Sequence, residues 1–208
     1  MSILAGDRVY TVEDAPDLIS RCLVGDQAAY AALYRIYAGD VYRLVYSLLG
    51  HREDTEEVVQ DTFVYAIKNL RRYDREKASF RTWLFVIATS RARNKRRRRW
   101  LPTVSLRRLL QTDGEPATPD CGDRPPEGEL EDASQQRTLH DALAQLSPKL
   151  REAAVLRYFD GLTYREMGHI LGISHKTAES RVRLAHEALR LLLDGVDGLG
   201  YRGDTECD

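Results

Sequence analysis

Apolar residues recur along most of this chain at helical spacing. From Gln27 the series Leu33, Tyr37, Val41, Leu44 and Leu48 advances at i, i+4, i+8, i+11 and i+15, which predicts a long helix with one buried face. Gly50 ends it. A shorter helix over 17–24 comes before, broken by Gly25-Asp26, and residues 1–16 up to Pro16 read as a loosely held lead-in. After His51-Arg52-Glu53-Asp54 a third helix turns Val58, Val59, Phe63, Ala66, Ile67 and Leu70 inward and leaves Glu56, Glu57, Gln60 and Asp61 to other faces. Residues 71–80 form a polar, basic loop that nevertheless holds Tyr73 and Phe80. A fourth helix starts with Trp83, Leu84, Ile87 and Ala88 and runs into 91–99, where seven of nine residues are basic.

The pattern then stops. Five of the seven prolines fall between Pro102 and Pro126, and residues 113–132 hold eight acids against one arginine with hardly any apolar periodicity, the composition of a linker without a core of its own. Helical spacing resumes near Thr138 with Leu139, Leu143 and Leu146. Ser147-Pro148 supplies an N-cap followed by proline at the first helical position, and Ala153, Leu156 and Tyr158 continue to Asp160-Gly161. Beyond Asp194 four glycines in nine residues predict a disordered tail.

Between these limits lies the most specific pattern. Thr163-Tyr164-Arg165-Glu166 fits a capping box, in which Thr163 accepts from the Glu166 amide and the Glu166 carboxylate returns to the Thr163 amide. Met167, Ile170 and Leu171 share one face, Gly172 permits a left-handed turn, and Ser174 caps a second helix whose apolar stripe is Ala178, Val182, Ala185, Leu189 and Leu192. Lys176, Thr177, Glu179, Ser180, Arg181 and Arg183 are left on its outer faces. This is the layout of a helix-turn-helix, whose second helix enters the major groove of duplex DNA and reads base edges; an ordinary helical hairpin is the alternative.

Charge decides between them. The net charge of −1 over 208 residues conceals a basic block at 91–99 and an acidic block at 113–132, and a block as basic as the first is a nucleic-acid footprint, because neutralising phosphates releases counterions. Aromatic residues immediately before it add a surface on which unpaired bases can stack, core packing of the same rings being the alternative. Cys22, Cys121 and Cys207 are too scattered for a disulfide framework or a zinc site and read as incidental thiols. The absence from the sequence of a metal triad, a glycine-rich phosphate loop or a nucleophile paired with a base argues against an enzyme and implies no cofactor. With no apolar run near the ~18 residues of a membrane span and no signal-peptide pattern, the expected location is cytoplasmic, without membrane insertion.

The expected architecture is therefore all-α: two small helical domains, at 17–100 and 137–194, joined by a flexible acidic linker at 101–136 and followed by a disordered tail at 195–208, the C-terminal domain carrying the helix-turn-helix. The motifs resemble those of bacterial RNA polymerase sigma factors of the sigma-70 family, extracytoplasmic-function group. The run Asp54-Thr55-Glu56-Glu57-Val58-Val59-Gln60-Asp61-Thr62-Phe63, the run Ser79-Phe80-Arg81-Thr82-Trp83-Leu84 followed by Ile87-Ala88, and in the second domain Leu146-Ser147-Pro148, Arg157-Tyr158, Gly161-Leu162-Thr163-Tyr164, Glu166 and Leu171-Gly172-Ile173-Ser174 carry the resemblance.

That resemblance implies that Glu57, Gln60 and Asp61 bind core RNA polymerase at the coiled coil of its largest subunit, with the β subunit as a further contact. It implies that Tyr73, Lys77, Ser79, Phe80, Ser90, Arg91 and Asn94 hold the single-stranded −10 element, and that Lys176, Thr177, Glu179, Ser180, Arg181 and Arg183 contact the −35 element as duplex. The acidic linker would thread toward the polymerase cleft in place of RNA. An anti-sigma factor is the further partner the resemblance implies. The chain departs from the family pattern at Ser90, where asparagine is common, at Lys176 and Ala178, where a glycine-valine pair is common, and at Glu179, where a basic residue is usual. An acid there can accept from cytosine but cannot grip guanine or phosphate, so no −35 sequence preference transfers. A two-domain duplex-operator regulator with a LuxR-type motif is the runner-up, and it leaves the Glu57/Gln60/Asp61 face and the aromatic loop without a use.

Overall fold

A computed structural model describes residues 10–100 and 130–194. The expectations for 1–9, for the linker at 101–129 and for the tail at 195–208 lie outside the described residues, as do Cys121 and Cys207. The described residues are helical and contain no strand. They fall into two compact units, one on each side of residue 121.

The first unit is four helices: α1 (Ala15–Leu23), α2 (Gln27–Leu49), α3 (Arg52–Lys68) and α4 (Phe80–Trp100). α2, α3 and α4 pack on one another and α1 lies against α2. The chain is ordered earlier than its mixed composition suggests. The Thr11 amide donates to Asp14 Oδ2 at 2.8 Å, fixing a 3-10 turn at Val12–Asp14, and Pro16 falls in the first turn of α1, where its fixed φ suits the helix and its missing N–H is not needed. Asp26 caps α2 by accepting from the Ala28 amide at 2.8 Å and is itself clamped by Arg21 Nε at 2.9 Å. Gly50, at φ 66°, ends α2 in the left-handed region.

Leu18, Val41, Val45, Leu84, Phe85 and Ala88 are fully buried and form the centre of this unit. Cys22 is buried with them, and burial, the largest cause, pushes its thiol up to about 11, the state of an inert thiol. Thr62 is buried without penalty because its hydroxyl donates to the Val58 carbonyl at 2.7 Å. Two inward assignments need correction. Ile67 is 40% exposed, since the buried stripe through Val59, Phe63, Ala66 and Leu70 leaves the next residue after Ala66 a hundred degrees round the helix. The fourth helix begins at Phe80 instead of Trp83, because Ser79 caps it by accepting from the Thr82 amide at 3.1 Å.

The second unit comprises α5 (Leu130–Gln145), α6 (Pro148–Ala154), α7 (Tyr164–Leu171) and α8 (His175–Asp194), with α5, α6 and α7 all packed on α8. α5 starts well before Thr138, inside the segment expected to be linker. The sequence there carries no apolar stripe that would announce a helix. Arg151 then ties α6 to the end of α5 by donating to the Leu143 carbonyl at 2.7 Å, satisfying a group the helix end leaves open. After Ala154 the chain widens into a π turn, Val155–Phe159, so the helical register predicted through Tyr158 shifts. Leu156 is buried, whereas Tyr158 is 51% exposed beside His186.

Candidate nucleic-acid interface

The loop before α4 is built around four rings. Phe80 lies 5.3 Å from Tyr37, 5.3 Å from Tyr73 and 5.7 Å from Trp83, and Tyr73 is 5.5 Å from Trp83. Tyr37 and Phe80 are 2% and 6% exposed, so Phe80 is the floor of this cluster and has no free face for a base. Tyr73 and Trp83 are half-buried and form its rim. Tyr73 is held by its hydroxyl, which donates to the Ala78 carbonyl at 3.2 Å, and desolvation raises the pKa of that hydroxyl. Ser79 and Lys77 are exposed at the mouth. Lys77 pairs with Asp74 at 3.0 Å; that hydrogen bond, and secondly the Glu76 amide, hold the Asp74 carboxyl below its ordinary range. Trp83, three residues after Phe80 in a helix capped by Ser79, stands on the same side as Phe80 and belongs to this site as well, a placement that the spacing in the sequence supports.

Arg81 anchors the start of α4. Its Nε donates to Asp40 of α2 at 2.8 Å and its guanidinium lies 4.4 Å over the Phe85 ring. Further along α4 the basic run divides. Ser90, Asn94, Arg97 and Arg98 are exposed and fall at i, i+4, i+7 and i+8, one continuous helical face. Arg91 and Lys95 are half-buried against α3. Arg91 reaches Asp61 at 3.3 Å and lies 4.8 Å over the Tyr65 ring; Lys95 reaches Glu57 at 2.5 Å and Asp54 at 3.2 Å. The hydrogen bond that Lys95 donates to Glu57 is the first cause holding its ammonium above its ordinary pKa, against a lowering by desolvation. Gln60 is exposed between Glu57 and Asp61. The expected polymerase-binding acids and one expected DNA-binding arginine are thus neighbours, paired across two helices.

In the second unit the geometry follows the sequence closely. The Glu166 amide donates to Thr163 Oγ1 at 3.3 Å and the Thr163 amide to Glu166 Oε2 at 2.9 Å, completing the capping box. Gly172 takes φ 69°. Gly168 is required as well, because a Cβ there would stand 2.8 Å from the Ile173 carbonyl oxygen; the turn closes directly over α7. Ser174 accepts from the Thr177 amide at 3.1 Å and shares a hydrogen bond with the Thr177 hydroxyl at 2.9 Å, so Thr177 is part of the cap. Ala178, Val182, Ala185 and Leu189 are buried, and Leu192 is half-buried. Opposite that stripe Lys176, Ser180 and Arg183 form one exposed line, flanked by Thr177 and the half-buried Arg181 on one side and by Glu179 on the other. Arg183 pairs with Glu187 at 3.1 Å. Upstream, Arg157 donates to the Leu162 carbonyl at 3.1 Å and covers the Tyr164 ring at 5.0 Å, fixing the entry to α7.

No cluster of metal-ligating side chains occurs among the described residues, and no helix there is long and apolar enough to cross a membrane.

Comparison with known proteins places both units. Residues 33–101 match sigma-70 region 2 and residues 136–189 match sigma-70 region 4. The chain is 34% identical over 178 residues to the ECF RNA polymerase sigma factor SigE of Mycolicibacterium smegmatis, covering 80% of this chain and 63% of that one. It is 33% identical over 175 residues to the ECF RNA polymerase sigma factor SigW of Bacillus subtilis, covering 80% of this chain and 89% of that one. Among solved structures, CnrH, seen in complex with the cytosolic domain of CnrY, aligns with TM-score 0.63 at 25% identity over 88% of this chain and 99% of its own. The sigma factor RpoE of Bartonella quintana, seen with the anti-sigma factor NepR, aligns with TM-score 0.58 at 24% identity, over 77% of this chain and 93% of its own; at that identity it speaks for the fold. The chain belongs to the extracytoplasmic-function (ECF) group of RNA polymerase sigma factors.

Proposed function

We propose that the chain directs core RNA polymerase to promoters by dividing two tasks between its units. α8 lies in the major groove of the −35 element, with Lys176, Ser180 and Arg183 facing the DNA and Thr177, Glu179 and Arg181 along the edges of that face. The first unit takes the opened −10 strand: bases stack on the Tyr73–Trp83 rim, Lys77 and Ser79 meet the backbone at the mouth, and Ser90 and Asn94 continue the track along α4. Phe80 supports this surface from beneath. Glu57, Gln60 and Asp61 on α3 meet a cationic surface of the polymerase, the β subunit being a second contact. The two domains are those expected from the sequence at 17–100 and 137–194, with α1 starting the first at Ala15 and α5 starting the second at Leu130.

The observation that carries this reading is the coexistence of a half-buried aromatic rim and an exposed polar helix face in one unit with a capped helix-turn-helix in the other. A duplex reader needs only the second. The chain acts as a specificity subunit without catalysing a reaction itself, in the cytoplasm where polymerase works. An anti-sigma factor is the expected regulator. The test is reconstitution: core polymerase with the purified chain transcribes a pool of genomic fragments and 5′ ends are mapped. Start sites that share a two-part upstream sequence support the reading, and 5′ ends no different from those of core alone overturn it.

A further inference from the structure

The ion pairs between α3 and α4 join two surfaces that the function uses separately. On the α3 side the carboxylates are the accessible partners, with Glu57 and Asp61 side chains 59% and 58% exposed. On the α4 side the cations are the covered partners, Lys95 at 24% and Arg91 at 29%. Arg91 and Lys95 each follow directly after a residue of the exposed polar face, Ser90 and Asn94, so each stands about a hundred degrees round the helix from it, on the border between that face and α3. Both side chains are long and have several rotatable bonds. Each pair keeps one solvent-exposed partner and is weakened by screening, so it can be exchanged for another partner.

We propose that Arg91 and Lys95 are shared cations, held by Asp61, Glu57 and Asp54 in the free protein and released to nucleic-acid phosphates when a cationic surface takes over Glu57 and Asp61. Building on the sigma-factor reading, the cationic surface belongs to the polymerase and the phosphates to the single strand lying on Ser90 and Asn94. Docking on α3 and strand capture on α4 are then linked reciprocally: each favours the other by the same factor. The acids do two jobs. They present the docking charge, and they mask two positive charges that would otherwise bind nucleic acid indiscriminately before polymerase arrives.

The test needs no polymerase. Full-length protein is titrated against a fluorescent dT20 oligonucleotide over a series of salt concentrations. The double variant Glu57→Gln/Asp61→Asn removes the two exposed masking carboxylates, leaving Asp54 3.2 Å from Lys95; Glu53→Gln/Glu56→Gln makes the same change in net charge at two exposed positions of the same helix, of which Glu56 pairs with Arg52 at 2.9 Å within α3. The exchange predicts that the first variant binds dT20 about three- to tenfold more tightly than wild type with a steeper dependence on salt, while the second changes affinity by less than about twofold. Adding Arg91→Ala/Lys95→Ala to the first variant should abolish the gain. Equal tightening by both variants would reduce the effect to net charge and overturn the proposal, as would no tightening in a variant whose thermal unfolding matches wild type. If the double variant is unfolded, Asp61→Asn alone carries the same comparison. Any of these failures leaves polymerase docking on α3 intact, and a failed transcription reconstitution leaves the oligonucleotide result standing.

Discussion

The two nucleic-acid faces proposed for this chain are built in opposite ways. On α8 the proposed contact residues stand on one helix, opposite a buried stripe, and all but Arg181 are exposed. On the first unit the proposed surface is assembled from the loop before α4, from α4 itself and from α2 beneath, and the cations at its border are paired with the acids of α3. The difference matches the targets. Duplex DNA offers fixed base edges in a groove, which one preformed helix can read. A single strand offers ring faces and phosphates without fixed geometry, so under the proposed reading the rigidity comes from the ring cluster and the charges are held in reserve.

The strongest way to break this comparison is to unfold one face alone. Phe85 is fully buried at the centre of the first unit, and Phe85→Ala should cost that unit about 3 to 5 kcal/mol. If the faces act separately, urea unfolding followed by circular dichroism should lose stability in one transition while binding to −35 duplex survives. Loss of both together would merge them. Next in size are the contact residues. Tyr73→Ala should weaken binding of single-stranded −10 DNA by about 1 to 3 kcal/mol, the scale of one lost stacking partner, and leave duplex binding unchanged. Arg181→Ala should do the reverse, costing about 1 to 3 kcal/mol on −35 duplex if it reads a base; fluorescence anisotropy with the two probes measures both. The smallest effect is on α7, where Thr163→Ala removes the capping box and should destabilise the second unit by about 1 kcal/mol, with the decline in duplex affinity tracking the loss of helix.

The two regions also differ in how much of them the sequence discloses. The helix-turn-helix is local: the box at Thr163 and Glu166, the left-handed Gly172 and the cap at Ser174 involve residues no more than a few apart, and each is found as its spacing implies. The first site is assembled over distance. Arg91 and Asp61 are 30 residues apart and Lys95 and Glu57 are 38. Which faces of α3 and α4 meet depends on how both rotate against α2, and a helical pattern in one dimension does not contain that rotation. Phe80 shows the same limit. Its chemistry suits stacking on a base, but Tyr37, 43 residues earlier by subtraction of the two positions, fills the space beneath it and makes it core. Helix ends are hidden for a different reason: α5 begins at Leu130, where the sequence has no apolar period to read, and the π turn at Val155–Phe159 shifts a register that the sequence continues smoothly.

The central claim is that one region reads duplex and the other an opened strand, which paired DNase I and permanganate footprinting of a promoter complex formed with core polymerase tests directly, DNase I reporting covered duplex and permanganate unpaired thymines. The account predicts protection of duplex at the −35 element together with reactive, unpaired thymines at the −10 element, both present only when the chain is added. Protection at both elements with every thymine unreactive would make the chain a duplex-binding regulator and contradict it.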